Sequence, residues 1–336
     1  MFFLYTSCEN TSPEDKLFPI KKNIIANKMN IEEILGKINF MKCVNNYLVF
    51  TGKNLDFQTQ CQLINKETKE SYFFGERGEG PGKLLQSTVI LQLSDVKIGI
   101  YDLGKRTLFS FFIDSIISKS SAYQPEVHFS KLNFSLLSIG YLEAHRYVAT
   151  GLTNELKRFM ILDENGIILS MEGELPPKTH EQTGNILHSY AYWGQLTTNA
   201  KEKRTAICTN YAGIIQIYDL ANNEVQLIKE HNLFFANYDD NNGNLGINSK
   251  TRWGYLSIDS NDNYIFALYS GINQVGNEHD GSYFKSNIIH VFDWNGNPVC
   301  QLLIDKKMQV ICVDDSNLYG YDPENGEILI VNIMDI

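Results

Sequence analysis

The sequence lacks the features of nucleic-acid-binding and membrane-spanning proteins. Its 336 residues include 29 lysines and arginines against 39 aspartates and glutamates, so the net charge is −10, the wrong sign for a partner dominated by phosphate. No run approaches the roughly 18 consecutive apolar residues that a transmembrane helix needs. Charged residues make up 20% of the chain and hydrophobic residues 43%, which excludes a disordered or fibrous protein and leaves ample material for a core.

Familiar catalytic signatures are also missing. His180-Glu181 opens an H-E-x-x-H pattern, but Gly184 stands where the second zinc-binding histidine belongs. There is no G-x-S-x-G nucleophile elbow, and no C-x-x-C pair suggests a metal site. The sequence therefore predicts no cofactor and favours a non-catalytic protein, while an enzyme remains an alternative.

A repeat accounts for most of the chain. A short polar turn followed by an apolar, β-rich run recurs about every 50 to 60 residues. The runs are marked by Tyr47, Val96, Tyr147, Thr205, Tyr264 and Leu318. Each mark is preceded by another strand-like run and followed by a hairpin, such as the one that turns at Asp163-Glu-Asn-Gly166. Each unit thus predicts four antiparallel strands, named A to D in chain order.

Six such units predict an all-β fold, a six-bladed β-propeller with strand A innermost. The last unit is one strand short, and a strand from within 17–34 can complete it and close the ring. We therefore predict a propeller over 17–336, preceded by a truncated lipoprotein signal and tether over 1–16. Two stacked sandwich domains are the alternative, but they explain neither the missing strand nor the steady period.

The N-terminal segment is similar to the lipobox of bacterial lipoproteins. An apolar stub and small residues lead to Cys8, and a polar acidic stretch follows. The resemblance implies that Cys8 carries a lipid and holds the protein in the cell envelope, on the outer membrane or the periplasmic side. Only seven residues precede Cys8, fewer than a full signal peptide has, and a start codon placed too late would explain this. A cytoplasmic protein is the alternative if Met1 is the genuine start.

A glycine-rich stretch points to a family. Gly75, Gly78 and the run Gly80-Pro81-Gly82 resemble the G-x-x-G-x-G-P-G-E-[FY] stretch of the TolB-like and NHL-like six-bladed propeller lipoproteins of bacterial cell envelopes. Lys83-Leu84 replaces the usual acidic and aromatic pair. The resemblance implies a scaffold and a location more than a reaction.

The other five cysteines lie in apolar, strand-like runs typical of buried thiols. Cys43 and Cys312 occupy equivalent places in their repeats, each just before an A–B turn. A disulfide between them is conceivable, and the sequence leaves it open.

Loop lengths suggest a binding face. In a propeller the A–B and C–D turns open on one face, and these are short here, whereas the D–A and B–C connections on the other face are long. Two Trp-Gly pairs begin strand A in units four and five, on this long-loop face. The predicted aromatic ligand site consists of Trp193, Trp253, Tyr190, Tyr192 and Tyr255, which suit stacking on a sugar or gripping a peptide. The alternative is that the rings only wedge between blades.

Charged residues of the long connections complete the predicted site. Arg77 and Glu79 lie in the glycine-rich loop and Arg252 ends the connection over 236–252. The glycines allow a phosphate cradle or, more simply, a turn that needs positive φ. Asp239 and Asp240 are weak candidates for a calcium site, because they miss the EF-hand spacing.

The function that these observations predict is an envelope lipoprotein that binds a carbohydrate, peptide or protein partner without catalysis. A propeller hydrolase or lyase, with a channel-mouth site and possible calcium assistance, is the alternative. It predicts a cluster of titratable groups with shifted pKa values in the central channel. A purely structural envelope subunit is a third interpretation.

Overall fold

The structure is a computed structural model that describes residues 12–31, 36–53, 58–118, 124–143, 146–178, 183–221, 225–279 and 281–336. Short strands alternate with tight turns along almost all of these ranges. The strands are β1 Lys21–Ile24, β2 Asn27–Lys28, β3 Lys37–Val44, β4 Tyr47–Lys53, β5 Thr59–Asn65, β6 Ser71–Glu76, β7 Ser87–Ser94, β8 Lys97–Asp102, β9 Thr107–Phe112, β10 Glu126–Phe129, β11 Leu136–Tyr141, β12 Tyr147–Gly151, β13 Lys157–Leu162, β14 Ile168–Glu174, β15 Leu196–Asn199, β16 Arg204–Cys208, β17 Ile214–Asp219, β18 Gln226–Asn232, β19 Asp239–Asn241, β20 Asn244–Gly246, β21 Tyr255–Ser260, β22 Tyr264–Tyr269, β23 Ser286–Asp293, β24 Pro298–Met308, β25 Val310–Val313, β26 Asn317–Asp322 and β27 Glu327–Asn332. The helices are α1 Pro13–Leu17, α2 Ile113–Ile117, α3 Asn185–Ala191 and a 3-10 turn at Ser282–Phe284.

The strands form six antiparallel blades, as the repeat predicts. Blade 1 is β3–β6, blade 2 β7–β10, blade 3 β11–β14, blade 4 β15–β18, blade 5 β21–β24 and blade 6 β25–β27. The first strand of each blade neighbours the first strand of the next, and β25 of blade 6 returns to β3 of blade 1. The six repeat marks lie in or next to the second strand of each blade, so the predicted six-bladed propeller is confirmed.

The N-terminal segment closes the ring, also as predicted. Strand β2 pairs antiparallel with β27 and gives blade 6 its fourth strand. Strand β1 pairs parallel with β24 and adds a fifth strand to blade 5. Residues 12–16 of the predicted tether are described, and they lie against blade 5, where Glu14 accepts a hydrogen bond of 2.6 Å from Gln301. The fully buried Phe18 ring stacks on His290 at 4.2 Å.

The hydrophobic core is divided among the seams between blades. Six clusters of buried aliphatic and aromatic side chains each join neighbouring blades, and a seventh lies under α3. The Asn-Gly turns expected between strands C and D occur, with φ of 77° at Gly166 and 78° at Gly296. Within the described residues, no helix has the length and apolar content needed to cross a membrane.

Candidate functional site

A cavity of about 940 Å³ lies at the centre of the ring. Its wall is made by the ends of the innermost strands and the A–B turns that follow them, over 40–46, 89–94, 138–141, 195–201, 258–262 and 313–319. Every blade therefore contributes to it. We call this cavity the funnel. It opens on the short-turn face, opposite the face that loop length suggests.

The lining of the funnel is mostly polar but carries aromatic rings. Hydroxyl and amide side chains come from several blades; they are Asn46, Gln92, Gln195, Thr197, Thr198, Asn199, Ser260 and Asn317. Tyr141 of blade 3 lines the funnel and is half-buried, whereas Tyr319 of blade 6 lines it with only 5% of its surface exposed. Amides, hydroxyls and aromatic rings at one concave surface can hydrogen-bond and stack on a polar ligand of moderate size.

A buried carboxylate joins four blades beside the funnel. Asp259 of blade 5 has only 3% of its side chain exposed and pairs with Lys42 of blade 1. Its second oxygen accepts a hydrogen bond of 3.0 Å from the backbone N–H of Val313 in blade 6. Thr197 of blade 4 donates to it at 3.5 Å. We call Lys42, Asp259, Val313 and Thr197 the Asp259 hub.

The hub keeps Lys42 charged. Burial lowers the pKa of Lys42, but the attraction of the Asp259 carboxylate outweighs burial, so the pKa ends above its usual value. An amine that holds its proton this firmly cannot serve as a general base near neutral pH. The hub therefore fits a structural role at the wall of a binding cavity.

A second ion pair closes the rim between blades 1 and 6. Lys66 Nζ lies 2.6 Å from Asp314 Oδ2, and Tyr319 donates to the same oxygen at 3.2 Å. Burial raises the pKa of Asp314, but Lys66 and two backbone N–H donors outweigh burial and leave the pKa below its usual value. The carboxylate is therefore ionised at neutral pH and bound to its neighbours.

Two thiols meet below this rim. Cys43 of β3 and Cys312 of β25 have their sulfur atoms 3.1 Å apart, both as free thiols. Cys43 lines the funnel, whereas Cys312 is fully buried.

The five predicted aromatic residues lie on the long-loop face, but most of their surface is covered. Tyr192 and Tyr255 have 1% and 0% exposure and Trp253 has 8%. Trp253 packs against Tyr211, Tyr283 and Phe284 and donates to Gln274 at 3.0 Å. Tyr190 and Trp193 are half-buried with parallel rings 6.3 Å apart. Ligand binding at these rings stays a prediction.

A side chain larger than that of glycine does not fit at the second position of either Trp-Gly pair. A Cβ on Gly194 would overlap the carbonyl oxygen of Cys208, and one on Gly254 would overlap that of Ala212. Gly254 N–H also donates to the backbone oxygen of Asn210 at 2.5 Å. The pairs thus mark where inner strands begin in close contact with the neighbouring backbone.

The glycine-rich loop faces a cation. Lys105 Nζ lies 3.1, 2.9 and 2.6 Å from the carbonyl oxygens of Glu79, Gly80 and Lys83. Gly75 and Gly82 have φ of 71° and 70°, which glycine adopts without strain. This geometry favours a turn over a phosphate cradle, because a cradle presents N–H groups to its anion.

The remaining predicted charges are dispersed. Arg77 and Glu79 are exposed, whereas Arg252 donates to the Gly271 carbonyl and lies 4.3 Å above the Phe234 ring. Asp239 and Asp240 are exposed in the β19–β20 hairpin.

Two further predicted features concern metal binding and lipidation. The described ranges contain no group of three or more His, Cys, Asp or Glu side chains that could hold a metal ion. Cys8 and His180 lie outside the described residues.

Sequence reasoning missed the Asp259 hub for a physical reason. Lys42 lies between two buried residues of β3, and Asp259, 217 residues later, is the penultimate residue of β21. The local signal is a charged residue flanked by buried residues in an inner strand, which predicts a buried partner without identifying it.

Comparison with known proteins agrees with the fold. The sequence matches the family described as TolB-like 6-blade propeller-like over residues 46–316. A search of curated proteins found no match.

Solved structures are similar in fold at low identity. A putative exported protein from Bacteroides fragilis is 10% identical with a TM-score of 0.58, covering 94% of this chain and 99% of that one. A calcium-binding protein, regucalcin, from Agrobacterium tumefaciens is 8% identical with a TM-score of 0.54, covering 94% and 95%. At such identities the likeness shows the fold alone, whereas the family match spans most of the sequence. The chain belongs to the TolB-like six-bladed propeller family.

Proposed function

We propose that this chain is a non-catalytic, lipid-anchored protein of the cell envelope whose propeller is a binding platform for a carbohydrate, peptide or protein partner, and that the funnel holds the ligand. The observation that carries the proposal is a cavity of about 940 Å³ to which all six blades contribute. Its walls are inner strands, each paired with the second strand of its own blade, and the Asp259 hub links four of the blades. A site on such a rigid frame binds with little loss of conformational entropy.

Among the three partners, a carbohydrate fits the funnel best. Sugars present many hydroxyl groups and flat apolar ring faces, which the amide and hydroxyl side chains and the half-buried Tyr141 ring match. The lysines and carboxylates of the Asp259 hub and the rim are paired with each other, so they offer no strong net charge to an ionic ligand. A peptide or a protein loop is the second possibility for the same cavity.

Catalysis is not the preferred interpretation. Two ion pairs of the funnel, Lys42 with Asp259 and Lys66 with Asp314, engage four of its ionised groups, and Lys42 is held protonated. A hydrolase or lyase needs an acid and a base whose pKa values are separated and whose polar atoms are free to reach substrate. The described part of the funnel favours binding for this reason.

Anchoring through Cys8 rests on the lipobox-like order of the N-terminal residues, and a relative in fold is named an exported protein. Mass spectrometry of the N-terminal peptide, isolated from membranes of the producing cell, tests it. A diacylglycerol mass on Cys8 that is absent from a Cys8→Ser variant supports the anchor, and an unmodified cysteine contradicts it.

A thermal-shift screen tests the binding function. The wild-type chain is melted with glycans, with peptides, and with calcium in the presence and absence of a chelator. A ligand that binds only the folded state raises the melting temperature by mass action. We expect a shift with a glycan and none with calcium. A rise in melting temperature with calcium that the chelator reverses would favour the enzyme alternative. A rise with a peptide would indicate a peptide ligand instead of a carbohydrate.

A further inference from the structure

We propose that Cys43 and Cys312 form a disulfide that closes the propeller ring covalently between blade 6 and blade 1. The proposal does not depend on the ligand of the funnel. It makes this seam, where the two ends of the repeat meet, the site of an oxidative cross-link.

The two sulfur atoms are already in contact. They lie 3.1 Å apart on neighbouring inner strands, while a disulfide bond is about 2.05 Å long. Closing the remaining distance of about 1 Å is within the reach of small side-chain rotations. Among the described cysteines, Cys61, Cys208 and Cys300 lie buried elsewhere in the blades.

The seam is otherwise held by non-covalent contacts. Lys66 pairs with Asp314 across it, and the Tyr321 hydroxyl donates to the Gly36 carbonyl at 3.1 Å. A bond between residues 269 positions apart would restrict the unfolded chain strongly, because the entropy of loop closure grows with loop length. The cross-link would therefore hold the ring shut at the point where it would otherwise open.

The chemistry needs an oxidant of the disulfide class, such as oxidised glutathione or an oxidoreductase disulfide. Cys43 lines the funnel, so its thiolate attacks the incoming disulfide, forms a mixed disulfide and releases one thiol. Cys312 then attacks the Cys43 sulfur and releases the second thiol. Two cysteine thiols are oxidised, one disulfide is reduced to two thiols, and the two protons end on those thiols.

The test uses the full chain incubated with oxidised glutathione or with dithiothreitol. Each sample is unfolded, alkylated, digested and analysed by mass spectrometry. We expect the oxidised chain to show two fewer alkylated thiols than the reduced chain, with one peptide pair linking Cys43 to Cys312. The melting temperature should rise by about 5 °C on oxidation.

Variants locate the effect. Cys43→Ser and Cys312→Ser should each abolish the oxidation-dependent shift, whereas Cys61→Ser in the same blade should keep it. The disulfide-linked peptide pair in the oxidised wild-type chain tests the proposal even if a seam variant fails to fold. Full alkylation of both thiols after oxidation, or glutathione on Cys43 without a cross-link, would overturn the proposal.

Discussion

Removing the Asp259 carboxylate should destabilise the whole ring. The Asp259→Ala substitution leaves the Lys42 ammonium without its partner and the Val313 N–H without an acceptor. Both groups belong to blades other than blade 5. The damage should therefore spread across the seams on both sides of blade 6.

The size of the effect follows from the contacts. Breaking a buried ion pair costs about 3 to 5 kcal/mol, and the lower end applies because 26% of the Lys42 side chain is exposed and water can reach it. An unsatisfied N–H adds about 1 kcal/mol. We expect Asp259→Ala to lower the free energy of unfolding by about 4 kcal/mol. Lys42→Met should cost about 3 kcal/mol, because it leaves a carboxylate buried without its cation.

The assay is urea denaturation followed by circular dichroism, with a double-mutant cycle. Because the two residues form one pair, the double variant should cost about 2 kcal/mol less than the sum of the single variants. Lys201→Met is the matched control, since its pair with Asp262 is 78% and 65% exposed and exposed pairs contribute little. Additive costs, or a control as damaging as Lys42→Met, would refute the reasoning.

Three further predictions concern other parts of the propeller. Gly194→Ala should cost more than about 2 kcal/mol because its Cβ overlaps a backbone oxygen, while Gly184→Ala, with no atom within 4 Å, should change little; urea midpoints compare them. Arg158 is 5% exposed and donates to Gln216 at 2.8 Å and to Thr209 at 2.6 Å. Arg158→Lys should lower the free energy of unfolding by about 3 kcal/mol at an unchanged urea m-value, because the lysine ammonium cannot make the same set of hydrogen bonds as the guanidinium group. A cost below about 1 kcal/mol contradicts this. Burial lowers the pKa of His290 below 6.5, so below pH 6.5 the unfolded chain binds a proton that the folded chain does not. Stability should therefore fall from pH 6.5 towards the folded-state pKa, and His290→Asn should flatten that slope in unfolding measured from pH 7.5 to 5.5.

The sequence predicts the fold well because its signals are local. Strand alternation, Asn-Gly turns and the repeat period all lie within about 60 residues. The missing strand of the last unit follows from counting alone, and β2 supplies it.

The site is harder to predict because loop length does not measure open space. The long connections fill their own face, where Leu187 and Ala191 of α3 pack with Tyr238 and Leu245. The short A–B turns leave the funnel open. Two of the ion pairs that line it, Lys42 with Asp259 and Lys66 with Asp314, join residues more than 200 positions apart, and no local pattern encodes such pairs.

The most direct test of the binding platform is calorimetric titration of the best ligand from the thermal screen into three proteins. They are the wild type, Tyr141→Ala in the funnel and Trp193→Phe on the long-loop face. If the funnel binds the ligand, Tyr141→Ala should raise Kd about tenfold, the loss of one aromatic contact, and Trp193→Phe should leave it unchanged. A Kd raised only by Trp193→Phe would contradict the account and place the ligand on the opposite face.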